Sequence, residues 1–134
     1  MNQTLLSETF PNAYAQISLI DAGTSDLPEW GTGDEPSVAS EHALYLSTRP
    51  DTAGAVEVHV LYGKPEEQAD AKEVFVGRLR IDSGSLEVGS PLAGAVQTLD
   101  FAAIRELSVV VLARPAHEPS EIWAYVVDPE DAAM

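Results

Sequence analysis

His42, His59 and His117 are the side chains best placed by type to bind a metal or move a proton near neutral pH. Their spacing argues against both. None forms an HxH, HExxH or His-x-Asp arrangement, so no stretch of chain brings together the three or four ligands that zinc requires. All three read as surface histidines. Nucleophilic chemistry is no better served. There is no cysteine, no Gly-x-Ser-x-Gly elbow surrounds any serine, and Ser83-Gly84-Ser85 is most simply a turn. Gly31-Thr32-Gly33 has the composition of a phosphate loop, but it runs into Asp34 and Glu35, whose charges repel phosphate. Paired carboxylates are so abundant that no pair stands out as an acid and base with contrasting surroundings. Asp21 and Asp26, with Asp128, could form a calcium site between end loops of a sandwich. They lack the Asp-x-Asp-x-Asp-Gly ladder of an EF-hand, and solvated acids are the simpler reading. The chemistry-bearing residues thus point to a binding protein, not an enzyme, with no cofactor and no metal.

Charge says what such a protein would bind. Twenty-two Asp and Glu face seven Lys and Arg, a formal net charge of −15 over 134 residues. Phosphates repel such a surface, which argues against direct nucleic-acid binding and against an anionic membrane. Cations and basic protein surfaces are attracted, although acidity also serves as a plain solubility device. The most apolar run, Val109 to Ala113, is far shorter than the ~20 residues a spanning helix needs. The opening MNQTLLSETF has neither a basic region nor a long apolar stretch, so no secretory signal is expected and the cytoplasm is the default location.

The elements that must carry these groups are strands. Alternation of period two recurs along the chain. Val56, Val58, Val60 and Tyr62 share one face, with Glu57 and His59 on the other. Phe75, Gly77, Leu79 and Ile81 alternate with Val74, Val76, Arg78 and Arg80. Asp82-Ser83-Gly84 follows as a tight-hairpin signal into Ser85–Val88. Shorter alternations cover residues 15–19, 43–49 and 95–101. Leu107–Ala113 and Ile122–Val127 are apolar on both faces and read as central strands. They are joined by a loop with prolines at 115 and 119. Single helical turns are conceivable at Glu66–Lys72 and Phe101–Glu106. The expected fold is all-β: one antiparallel β-sandwich of about eight short strands over residues 1–134. Residues 1–13 are expected as an N-terminal extension and 129–134 as an acidic tail.

One stretch resists this pattern. Asp21 to Glu41 holds three Gly, two Pro and six acids, with Trp30 in its middle. So long a loop in a compact domain is commonly functional. Trp30 reads as a pin holding this loop to the sandwich edge; the alternative is an exposed anchor for a partner.

The order of features from Tyr14 to Asp128 resembles the competence protein J family, small inhibitors of a DNA-entry nuclease. The resemblance rests on YAQISL, the acidic LPEW, ALYLST, AVEVHVLYG, EVFVGRLRIDSGSLEVGS, LDF, LSVVVLARP and the closing IWAYVVD. It is one of pattern, with no inhibitory motif to carry over residue by residue. It implies a protein partner, a basic nuclease, blocked by a protein that mimics the charge of the substrate. Charge reasoning places the partner-binding site at Asp26, Glu29, Trp30, Asp34 and Glu35, while Glu66, Glu67 and Asp70 read as a solvated turn. Two other classes stay open: an immunity or adaptor module, and a small-ligand or calcium-binding sandwich.

Overall fold

The structure is a computed structural model that describes residues 2–11, 15–102 and 104–132. Tyr14, where the resemblance begins, lies outside the described residues, as do 12–13 of the expected extension and 133–134 of the expected tail.

Ten strands form two five-stranded sheets among the described residues. They are β1 (Gln3–Phe10), β2 (Gln16–Asp21), β3 (Ser37–Ala39), β4 (Ala43–Ser47), β5 (Val56–Tyr62), β6 (Lys72–Arg80), β7 (Ser85–Ser90), β8 (Ala95–Asp100), β9 (Glu106–Arg114) and β10 (Glu121–Val127). One sheet runs β1-β5-β10-β9-β6, the other β3-β4-β2-β7-β8. Alternation decides what lies between them. Val56, Val58 and Val60 of β5 and Ile122, Ala124 and Val126 of β10 turn inward to meet Ile17 and Leu19 of β2, Leu44 and Leu46 of β4, and Leu86 and Val88 of β7. All are essentially inaccessible. Each Val, Leu and Ile side chain among them contributes on the order of 1.5–3 kcal/mol of burial. The expected central strands β9 and β10 are interior to their sheet and pair antiparallel across the proline-bounded loop.

Several expectations need correction. Residues 3–10 are not an extension but an edge strand paired with β5. A register shift between Thr4 and Leu6 breaks the alternation there, so Leu5 and Leu6 are both partly buried and the period-two signal is lost. The sandwich is not wholly antiparallel, because β10 pairs β5 in parallel. Alternation reports which face a residue occupies, not the direction of its neighbour. The Asp82-Ser83-Gly84 turn closes tightly, with the Gly84 amide bonded to the Ile81 carbonyl at 2.8 Å, yet it makes no hairpin. It carries the chain from β6 in one sheet to β7 in the other. The long loop follows β2, the strand expected at 15–19, and is interrupted by β3, which pairs β4. Neither expected helical turn forms among the described residues. The helix α1 (Pro129–Ala132) lies instead in the acidic tail, its start capped by Asp128 Oδ1 accepting the Glu130 amide at 3.0 Å. No helix is long and apolar enough to cross a membrane.

Candidate functional site

The chain between β2 and β3, residues 22–36, lies over the outer side of the β2–β4 pair. Its central contact is Trp30. The indole Nε1 donates to Gln16 Oε1 at 2.9 Å, and the ring sits 6.4 Å from that of Tyr45. Both partners are on the outward side of their strands, since Ile17 and Leu44 point inward. Trp30 is therefore half-buried and holds the loop to the sheet, and burial raises the Tyr45 hydroxyl beside it.

The five residues expected to form one site are distributed along this loop. Glu35 closes its far end. Its carboxylate accepts the Gly31 amide at 2.6 Å, the Gly33 amide at 2.8 Å and the Thr32 hydroxyl at 3.1 Å. Its own backbone amide first, then those of Gly31 and Gly33 with the Thr32 hydroxyl, hold the carboxyl at about 2. A carboxylate whose pKa is depressed on folding contributes stability above its unfolded value and loses it as pH falls toward the folded one. We expect loosening of the 31–35 turn between about pH 4.5 and pH 2. The Glu35 carboxyl carbon, followed by NMR, should titrate near the lower limit; a midpoint near 4.5 would contradict the turn geometry. Asp34 and Glu35 also line a cleft of about 500 Å³ opposite His117 and Glu118 of the β9–β10 loop. Glu29 and Asp34 are exposed, and their carboxylates accept no hydrogen bond among the described residues.

Asp26 lies at the opposite end, in a cluster that sequence spacing does not reveal. His42 Nδ1 is 2.9 Å from Asp26 Oδ2, and His42 Nε2 is 2.9 Å from Asp82 Oδ2. Arg80 Nη2 donates to Asp82 Oδ1 at 2.9 Å. The hydrogen bond to Asp26, then that to Asp82, raises the His42 imidazole above its ordinary value, against a smaller effect of burial. Both carboxyls are lowered in turn, Asp26 chiefly by His42 and Asp82 by His42 and then Arg80. Asp21 borders the cluster from the end of β2 with its carboxylate buried, its Oδ1 accepting the Ser83 amide and hydroxyl at 3.1 and 2.6 Å. The three histidines are thus not all idle surface groups. Asp128, the third member of the considered calcium trio, caps α1; Asp82 stands beside Asp21 and His42 instead.

A second network covers the outer face of the other sheet. The His59 ring stacks on Trp123 at 5.7 Å, and the Arg114 guanidinium lies 4.9 Å above the same indole. Glu121 bonds both Arg114 and, at 2.9 Å, His59 Nε2. Burial opposes ionisation of Glu121, but the Arg114 and His59 hydrogen bonds outweigh it and lower its pKa. Ion pairs join Arg78 to Glu106, Arg80 to Asp82 and Arg114 to Glu121, and seven Lys and Arg cannot offset twenty-two Asp and Glu. Most of the acidic surface is therefore not neutralised internally.

Two five-stranded sheets with a long acidic loop pinned across one outer face define an all-β sandwich class of protein. This fold is similar to that of ComJ of Bacillus subtilis, inhibitor of the DNA degrading activity of NucA. Its crystal structure matches this chain with a TM-score of 0.71, over 96% of this chain and 98% of that one, at 12% sequence identity. The likeness is one of fold, and it agrees with the resemblance drawn from the order of the strands. No protein-family model matches the sequence, and no curated protein sequence matches it.

Proposed function

We propose that this chain is an inhibitor-type protein-interaction module whose partner is a DNA-degrading nuclease, engaged through the acidic loop. The observation that carries the reading is the end-to-end fold likeness to a nuclease inhibitor. The net charge of −15, with few internal cation partners, supports it. A nuclease cleft is built to hold phosphates and so presents lysines, arginines and commonly a metal ion. An acidic surface is steered toward such a cleft, and its carboxylates occupy the phosphate positions. Glu29 and Asp34 are free to do so, whereas Asp26 and Glu35 already accept hydrogen bonds that shape the loop. Trp30 acts by holding the loop rigid, which lowers the ordering cost of binding.

The test is a DNA-degradation assay with a NucA-like nuclease from the chain's own organism. Inhibition should be complete near one equivalent and weaken as salt rises, because exposed charges are screened beyond about 10 Å at 0.1 M ionic strength. Undiminished cleavage at ten-fold excess, with no complex by gel filtration, would remove the nuclease as the partner.

A further inference from the structure

The cleft of about 500 Å³ between the acidic loop and the β9–β10 loop is braced on every side. Its floor is the chain that leaves β4, residues 47–50. Three consecutive amides tie this floor to the segments around it. Ser47 bonds to the Pro36 carbonyl at 3.0 Å, Thr48 to the Ala15 carbonyl at 2.9 Å and Arg49 to the Pro119 carbonyl at 3.0 Å. One wall carries Asp34 and Glu35, the other His117 and Glu118. Glu35 gathers the Gly31 and Gly33 amides behind the first wall, and Ser37 Oγ donates to the Val74 carbonyl at 2.8 Å beside it. Behind the second, the Ser120 amide bonds to the Arg114 carbonyl at 3.1 Å, and Pro115 and Pro119 restrict the backbone between them.

The acids on the two walls differ in what they already do. The Glu35 carboxylate is turned into its own loop. Asp34 and Glu118 are exposed, stand on opposite walls, and accept no hydrogen bond among the described residues. The lining between them is largely apolar, with Pro36, Pro50, Val74 and Pro119.

From this braced cleft with a free carboxylate on either wall, and resting on the nuclease reading above, we infer that it receives an arginine or lysine side chain of the nuclease. The occupant's methylenes lie against the prolines and its charge lies between Asp34 and Glu118. Long basic side chains have this division into an apolar stem and a charged head. Other occupants fit worse. A phosphate or a carboxylate is repelled, and an apolar side chain strips water from two carboxylates and gives them no partner. Because both walls are bonded to the floor before binding, seating the side chain orders little that was loose. The β9–β10 loop thereby becomes part of the inhibitory surface, and Glu118 a residue that sets specificity.

The experiment measures inhibition constants against the NucA-like nuclease for two cleft variants and one control. Glu118→Gln keeps the shape of the side chain and removes its charge; it should weaken inhibition roughly ten- to a hundred-fold. Ala116→Trp sets an indole at the exposed lip of the cleft and should weaken it at least about ten-fold by obstruction. Glu67→Gln makes the same charge change at an exposed position away from the cleft and should stay within about two-fold of wild type. Melting temperatures establish that each variant is folded. In the unmodified protein the His117 ring signals should shift on complex formation, which reads the cleft without any substitution. If wild type inhibits while both cleft variants match it, or while Glu67→Gln weakens inhibition as much as Glu118→Gln, the cleft inference is overturned and the nuclease reading stands. Unshifted His117 signals in a formed complex also overturn it. A wild-type chain that does not inhibit removes both.

Discussion

Glu29→Lys combined with Asp34→Lys is expected to slow capture of the proposed nuclease partner by roughly ten- to a hundred-fold at low salt, the range over which steering fields act on association. The free protein should keep its melting temperature. These two positions are chosen because both side chains are exposed and accept no hydrogen bond among the described residues. Reversing them changes the field presented to a partner without removing a contact that shapes the loop. Asp26 and Glu35 would be poor choices. Their replacement disturbs the His42 cluster or the Gly31–Glu35 turn, and a loss of binding would then report a damaged loop. The double variant is compared with wild type by association rate at two salt concentrations. The gap between them should narrow as salt rises, while the dissociation rate changes less. Equal association rates at low salt would mean that the partner docks elsewhere on the sandwich.

The largest loss of stability is expected from Gly89→Ala, about 3 kcal/mol or more from adding strained backbone and overpacking costs. Gly89 sits in β7 with φ at +140°, a conformation that L side chains rarely adopt. A Cβ placed there would lie 2.3 Å from the Ala95 carbonyl oxygen and 2.9 Å from Cε1 of Phe10. Neither neighbour can give way cheaply. The carbonyl belongs to β8, whose pairing aligns Gly89 with Val96 and Ser90 with Ala95. The Phe10 ring is 3% exposed in the core, at the end of β1. The missing side chain is what lets an edge strand of one sheet close over the other. Gly94→Ala is the matched control: its φ is +70°, but nothing lies within 4 Å of the added atom, so only the backbone cost of about 1 kcal/mol remains. Urea denaturation compares the two. A Gly89→Ala midpoint indistinguishable from that of Gly94→Ala would show that the close approach costs nothing.

Much of this architecture is legible in the chain because alternation is a local property. Val56-Glu57-Val58-His59-Val60 must turn three valines to one side whatever its neighbours are, and all three are fully buried. β9 and β10, apolar on both faces, could only be interior strands, and the prolines between them forbid continuing the ladder. β1 was not legible, since its bulge sets Leu5 and Leu6 out of phase and its remaining positions are largely polar. β3 was hidden too, because three residues are too few to show a period. The hairpin signal at Asp82-Ser83-Gly84 misled for a related reason. Turn chemistry specifies a reversal of direction but not which sheet receives the next strand.

The candidate site divides in the same way. The acidic, tryptophan-bearing loop is visible as composition, and the charge of −15 follows from counting. Which acids are available for a partner does not. Glu35 is consumed by the amides of Gly31 and Gly33 and Asp26 by His42, leaving Glu29 and Asp34 unpaired. The cluster of Asp21, His42 and Asp82 has no spacing signature, since its members stand at the end of one strand, before another and in a turn between sheets. By itself, then, the sequence determined an acidic all-β sandwich with one long loop, because strand alternation and net charge need only neighbours along the chain. The tertiary structure alone decided which acids that loop keeps for itself and which it presents, because hydrogen bonds such as that of Ser83 to Asp21, 62 positions apart, exist only once both sheets have formed.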